Sequence, residues 1–221
     1  MTSNYTLVLN IDEFVLKLPL LKKRLWLEIG QAHGIEITEL FLMASFDANQ
    51  EKQEKLMREY PHLSMYFEEV NARYMQEQHD FLQNAHVSSD LKSVLTGLNQ
   101  PLDLVVCTNL AIDEVRTLPV LTEFPYPIQA IFSTKEVFAG KPDADIYLKI
   151  ARKLGIHASK LITIDATING VQAGYLAHTK AIYVAEYFAI TQAVQDYSTA
   201  FLETLSDLKT TLNTWLINQN G

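Results

Sequence analysis

Five short apolar runs recur along the chain: Tyr5 to Leu9, Leu102 to Cys107, Ile128 to Phe132, Leu161 to Ile164 and Ala181 to Val184. Runs that are apolar at nearly every position, rather than at alternate ones, belong to strands buried on both faces. Between and after the last four lie segments of helical character. These are Asp113 to Leu118, Asn169 to Ala177, a long terminal helix from Ser198 to Leu216, and a helix starting at Asp143 with Arg152 and Lys153 in its last turn and a stop at Gly155. An acid at the start, bases at the end and a glycine just beyond is the charge and capping order a helix prefers.

The stretch after the first run differs. From about Leu16 to Leu98 no strand-like run appears, while apolar residues recur at helical spacing in Leu21, Leu25 and Ile29 and again in Met65, Val70 and Tyr74. The expectation is an α/β fold, a Rossmann-like core with a parallel sheet covered on both faces, into which a helical cap domain is inserted after the first strand. The core spans residues 1–15 and 99–221, and the cap 16–98. The aromatic residues of that block, Trp26, Tyr60, Tyr66, Phe67 and Tyr74, read as helix-packing residues before they read as a ligand cage.

Composition narrows the function classes. With 26 Asp and Glu against 18 Lys and Arg, the chain carries a formal charge of −8 and no sustained basic stripe, so nucleic acid is not an expected partner. No apolar run is long enough to span a membrane, and Met1 to Asn4 lead straight into the first strand without a signal-like segment. The single cysteine, Cys107, lies inside an apolar run and reads as an inert core thiol of a reducing, cytoplasmic compartment. The six histidines show no metal-binding spacing, and no glycine-rich nucleotide loop occurs.

In an open parallel sheet, ligands bind beyond the carboxyl ends of the strands. Those ends read Asn10 and Asp12, then Thr108 and Asn109, then Gly140-Lys141-Pro142, then Asp165. A hydroxyl and a lysine can hold phosphate oxygens, and carboxylates can supply hard oxygens to magnesium. Each residue also has a plainer reading. Asn10 and Asp12 can end a strand, Thr108 and Asn109 can cap a helix, and Asp143 and Asp145 suit a helix first turn. Asp165 can be a cap, and Ser133 with Glu136 fits a capping box.

The string Ala139-Gly-Lys-Pro-Asp-Ala-Asp-Ile-Tyr-Leu148, followed by Lys153-Leu-Gly-Ile156, Leu161-Ile-Thr-Ile-Asp165 and Asn169-Gly-Val-Gln-Ala173, resembles the second half of haloacid dehalogenase superfamily phosphatases. The nearest group is that of β-phosphoglucomutase and phosphoglycolate phosphatase. The resemblance covers essentially the whole chain, since a helical insertion after the first strand and a Thr-Asn after the second share that layout. It implies Asn10 at the nucleophile position, Asp12 as general acid/base, Thr108, Asn109 and Lys141 as the phosphate-binding set, and Asp12 and Asp165 as magnesium ligands. Asp145, after Lys-Pro, would orient the residues that contact the ligand rather than contact it itself.

Two departures stand out. The family pattern Asp-x-Asp-Gly-Thr reads here Asn10-Ile11-Asp12-Glu13-Phe14, so an uncharged amide replaces the attacking carboxylate. Aligned on Asn169-Gly170, the fourth loop places Asp165 on the first of two family acids and Ala166 on the second, a metal ligand. A slip of one residue would put Asp165 there but would misplace Asn169-Gly170. His178 replaces a usual glycine. The resemblance thus implies a hydrolase-like protein, catalytically impaired, that binds a phosphorylated small molecule or inorganic anion and holds magnesium weakly or not at all. Two alternatives remain: an active magnesium-dependent phosphatase or phosphomutase rearranged around Asp12 and Asp165, and a non-enzymatic interaction module using the cap or the terminal helix around Trp215.

Overall fold

A computed structural model describes residues 5–46, 50–100 and 102–217; Met1 to Asn4, which the sequence leads into the first strand, lie outside them. The chain begins with β1 (Thr6–Asn10), all five residues of which are buried. Among the described residues seven α-helices follow: α1 (Ile11–Phe14), α2 (Leu18–His33), α3 (Glu39–Ser45), α4 (Gln50–Glu59), α5 (Pro61–Ser64), α6 (Phe67–Gln83) and α7 (Ser89–Thr96). Strands and helices then alternate through β2 (Asp103–Thr108), α8 (Ile112–Arg116), β3 (Ile128–Ser133), α9 (Asp145–Leu154), β4 (Leu161–Asp165), α10 (Ile168–Leu176), β5 (Lys180–Val184), α11 (Gln192–Tyr197), β6 (Ala200–Leu202) and α12 (Asp207–Ile217).

The six strands among the described residues form one parallel sheet in the order β3-β2-β1-β4-β5-β6. The order runs outward from β1 in both directions, so β1 and β4 sit side by side at the point where the connections change direction. A crevice opens at such a point, beyond the strand ends. Apolar side chains fill both faces: Leu7, Leu9, Leu104 and Val106 on one, Val8, Val105, Ile146 and Ile150 on the other.

The helical block forms as its periodicity demands. Leu21, Leu25 and Ile29 are buried along one stripe of α2, and Val70 is buried on α6. Trp26, fully buried, meets Phe41 and Phe67 edge-on at 4.8 and 4.9 Å between ring centroids. Met65, which the spacing enrols in the same stripe, instead ends α5 and is exposed, because the chain turns between α5 and α6 there.

Two expectations fail near the C-terminus. The sequence reads as five strands with an uninterrupted helix from Ser198, but Ala200–Leu202 is a sixth strand and the helix starts at Asp207. Phe201 lies four residues before Leu205, so it prolongs the helical spacing of Leu205, Leu208, Leu212 and Leu216. Its side chain is nonetheless half exposed, while hydrogen bonds from Thr199 N to Ala181 O and from Ala185 N to Leu202 O fix the segment on β5. The helix expected from Asp143 begins at Asp145, after a turn closed by Asp143 N to Gly140 O. Gly155 ends it in the left-handed conformation, φ 69°.

Candidate functional site

The strand ends β2, β1 and β4 bring Thr108, Asn10, Asp12 and Asp165 together, and the loop after β3 brings Lys141 to them. Asn10 ends β1 and caps α1: its Oδ1 accepts from Asp12 N at 3.2 Å. Its Nδ2 donates to Glu13 Oε1 at 2.5 Å and faces Asp165 Oδ2 at 3.4 Å. Only this orientation of the amide gives both ends complementary partners.

Asp12 is almost fully buried, and its carboxylate spans two donors. Oδ1 accepts from Thr108 Oγ1, and Oδ2 accepts from Asn109 N at 2.6 Å. Thr108 does not act as a helix cap, since α8 begins only at Ile112 and Ala111 is its cap residue. The Asn109 side chain accepts from Thr134 Oγ1 at 2.8 Å, which ties the end of β2 to the turn after β3.

Lys141 Nζ donates to Asp165 Oδ2 at 2.6 Å, with both side chains 1% exposed. Burial pushes Lys141 toward the neutral amine, but the carboxylate of Asp165, then Tyr147 and Glu13, outweigh it and hold the ammonium well above the ordinary lysine range. Burial likewise opposes the charge of Asp165, and the Lys141 ammonium with hydrogen bonds from Glu13, Lys141 and Thr167 brings its carboxyl below the usual carboxylate range. Thr167 N and Oγ1 donate to Asp165 Oδ1 at 2.9 and 2.7 Å, and Thr167 Oγ1 in turn caps α10 by accepting from Gly170 N. A Cβ on Gly170 would lie 1.8 Å from the Asp165 carboxyl, so that close approach requires glycine. Asp145 accepts from Ala139 N at 3.1 Å and anchors the loop that presents Lys141. Ser133 caps the turn after β3 by accepting from Lys135 N at 3.0 Å, whereas Glu136 pairs with Lys149 instead of closing a capping box.

Glu13, on the first turn of α1, is the residue sequence reasoning passed over. It is 1% exposed. Oε2 accepts from Ala166 N at 2.6 Å and Oε1 from Asn10 Nδ2. The one available signal was a charged residue standing where the family pattern has glycine.

The resemblance implies magnesium, and the donor set is a poor match for it. Asn10 turns its amide hydrogens rather than its oxygen toward Asp165, position 166 offers a methyl group, and the Asp165 oxygen a cation would use receives an ammonium. Among the described residues no three His, Cys, Asp or Glu side chains are grouped so as to hold a metal ion.

A cavity of about 350 Å³ lies over the strand ends. Asp12, Asn109 and Lys141 line one side, and Lys22, Tyr74 and Gln78 of α2 and α6 the other. Tyr74 is therefore the one aromatic residue singled out in the helical block that reaches this cavity; Tyr60 packs on Phe41 and Tyr66 on His33. The helical block is fastened to α10 beside it, with Lys52 Nζ on Asn169 Oδ1 at 2.6 Å and Asn169 Nδ2 on Phe46 O at 2.6 Å. A larger open groove of about 690 Å³, lined by Arg24, Glu77 and His86 among others, holds none of the strand-end residues. Trp215 of α12 is half-buried against the core, with Lys180 Nζ 5.1 Å from its ring centroid. No helix among the described residues is long and apolar enough to cross a membrane.

The sequence profile of the haloacid dehalogenase-like hydrolases matches residues 28–184. No curated protein matches the chain in sequence. Among solved structures, a conserved haloacid dehalogenase-like protein of unknown function from Agrobacterium tumefaciens superposes with a TM-score of 0.73 at 15% identity, covering 95% of this chain and 98% of that one. A putative β-phosphoglucomutase from Bacteroides vulgatus gives 0.70 at 20% identity, covering 98% and 92%. A haloacid dehalogenase family hydrolase from Deinococcus radiodurans, solved with bound phosphate and sodium, gives 0.68 at 13% identity, covering 96% of each chain.

Proposed function

Because the chain belongs to the haloacid dehalogenase-like hydrolase family, we propose that it keeps that family's ligand crevice without its phosphoryl-transfer chemistry, and binds a small anion or phosphorylated molecule that it does not hydrolyse. The observation that carries this reading is the state of Asn10. Phosphoryl transfer to the enzyme needs an anionic oxygen at this position. Here an amide stands there with both ends engaged, oxygen on Asp12 N and nitrogen on Glu13 and Asp165. An amide nitrogen whose hydrogens point at two carboxyl groups has no electron pair to offer phosphorus.

The anion-binding half of the proposal is supported by what Asp12 does. Thr108 Oγ1 and Asn109 N converge closely enough to hold both oxygens of one carboxylate. The same two donors can hold two oxygens of a phosphate once Asp12 swings away. A ligand thus competes with an internal carboxylate, and affinity for inorganic phosphate is weak in consequence. The Deinococcus hydrolase was solved with bound phosphate; in this chain the place proposed for an anion is the pair of donors Thr108 Oγ1 and Asn109 N.

Calorimetric titration with phosphate tests the proposal. Asp12→Ala frees the two donors and removes a like charge, so it should bind phosphate about tenfold more tightly than wild type, a difference of about 1.4 kcal/mol. Thr108→Val, which keeps shape and loses the hydroxyl, should bind more weakly. Equal heats from all three proteins, or no binding to Asp12→Ala, would discard the site.

A further inference from the structure

We infer that Glu13 occupies the space and the hydrogen-bonding groups that a divalent cation would need in this crevice, so that an internal carboxyl closes the site to metal. The inference rests on the reading of the crevice as the family's site and adds a residue to which the resemblance assigns nothing.

The geometry is specific. The two positions at which the family's acids are missing, Asn10 and Ala166, are the two that Glu13 bridges: Oε1 lies on Asn10 Nδ2 and Oε2 on Ala166 N, at 2.5 and 2.6 Å. The same Asn10 amide faces Oδ2 of Asp165, the acid that remains on β4, at 3.4 Å. Glu13 is buried, and its main-chain oxygen accepts from Tyr187 OH, so its backbone is fixed from behind as well. A cation in this place would need oxygens turned toward it. The atoms around Glu13 turn hydrogens toward the crevice instead, an amide NH₂ and a main-chain N–H, which are complementary to a carboxyl and repel a cation.

The alternative is that Glu13 merely satisfies Ala166 N and would yield to a cation whenever the missing ligand returned. The two accounts separate in a metal titration that does not involve phosphate, so failure here and failure of the anion-binding reading are distinguishable. Isothermal calorimetry with MgCl₂ and with MnCl₂ on wild type, Ala166→Asp and Glu13→Gly/Ala166→Asp is the test. Wild type and Ala166→Asp should show no saturable binding. The double variant should give a saturable isotherm, abolished by EDTA, because the added carboxylate can reach a cation only once the space is free. Tight binding by Ala166→Asp alone, or no gain in the double variant, would overturn the inference. Wild type gives a second reading that needs no variant to fold: Mn²⁺ added to ¹⁵N-labelled protein should leave the Ala166 and Glu13 amide signals unbroadened, and selective broadening there would overturn it too.

Discussion

Among the side chains of the crevice, Lys141 and Asp165 form a buried ion pair. Both are nearly inaccessible, and each is the other's principal counter-charge. Such a pair adds little net stability over an apolar one, yet removing one partner leaves a buried charge uncompensated, at about 3–5 kcal/mol. Lys141→Met should therefore lower the unfolding free energy by about that amount in urea denaturation; a loss below about 1 kcal/mol would mean that water reaches Asp165. The same coupling makes Lys141 a poor residue for probing anion binding, because its loss disturbs the fold, whereas Thr108→Val leaves the ion pair intact. Asn10, Asp12, Thr108 and Asp165 were legible in the sequence because each follows a strand-like run, and Lys141 by its place in the Gly-Lys-Pro string that carries the family resemblance. Glu13 was not. Its partner Ala166 is 153 positions away, and an acid in a helix first turn has a sufficient local explanation in the helix dipole.

The elements themselves were legible wherever burial and periodicity agree. The strands from β1 to β5 are apolar at nearly every position, and the charge order of α9 marks both its ends. Legibility failed where a single residue satisfies two periods, as Phe201 does, and edge pairing rather than spacing decided the outcome. His178 shows the reverse case, in which a departure from the family pattern has a local physical cost. It follows α10 with φ 58°, in the left-handed region, and is exposed. A side chain there costs about 1–2 kcal/mol, while a glycine gives back about 0.5–1 kcal/mol through the freedom of the unfolded chain. His178→Gly should accordingly stabilise the protein by about 0.5–1 kcal/mol, seen as a higher urea midpoint with an unchanged slope. A destabilised variant would show that the His178 side chain contributes a contact that outweighs the strain.

On the scale of the molecule, the sheet order sets the crevice between β1 and β4, and the helical block closes over it through Lys52, Phe46 and Asn169. That fastening joins residues far apart in sequence through a lysine, a main-chain oxygen and an amide, none of which carries a periodic signal. The family's fold is intact around this crevice, and in the proposed reading its chemistry is replaced: amide for nucleophile, methyl for metal ligand, carboxyl for cation. Residues that act as one catalytic unit are strongly non-additive, so restoring Asn10→Asp alone should leave activity at background, and Asn10→Asp with Glu13→Gly and Ala166→Asp should give magnesium-dependent turnover. The most direct measurement is hydrolysis of p-nitrophenyl phosphate by the purified wild-type chain in magnesium, with and without EDTA. The account predicts rates equal to the enzyme-free background in both; EDTA-sensitive turnover that disappears in Asp12→Ala would contradict it and move the chemistry onto Asp12.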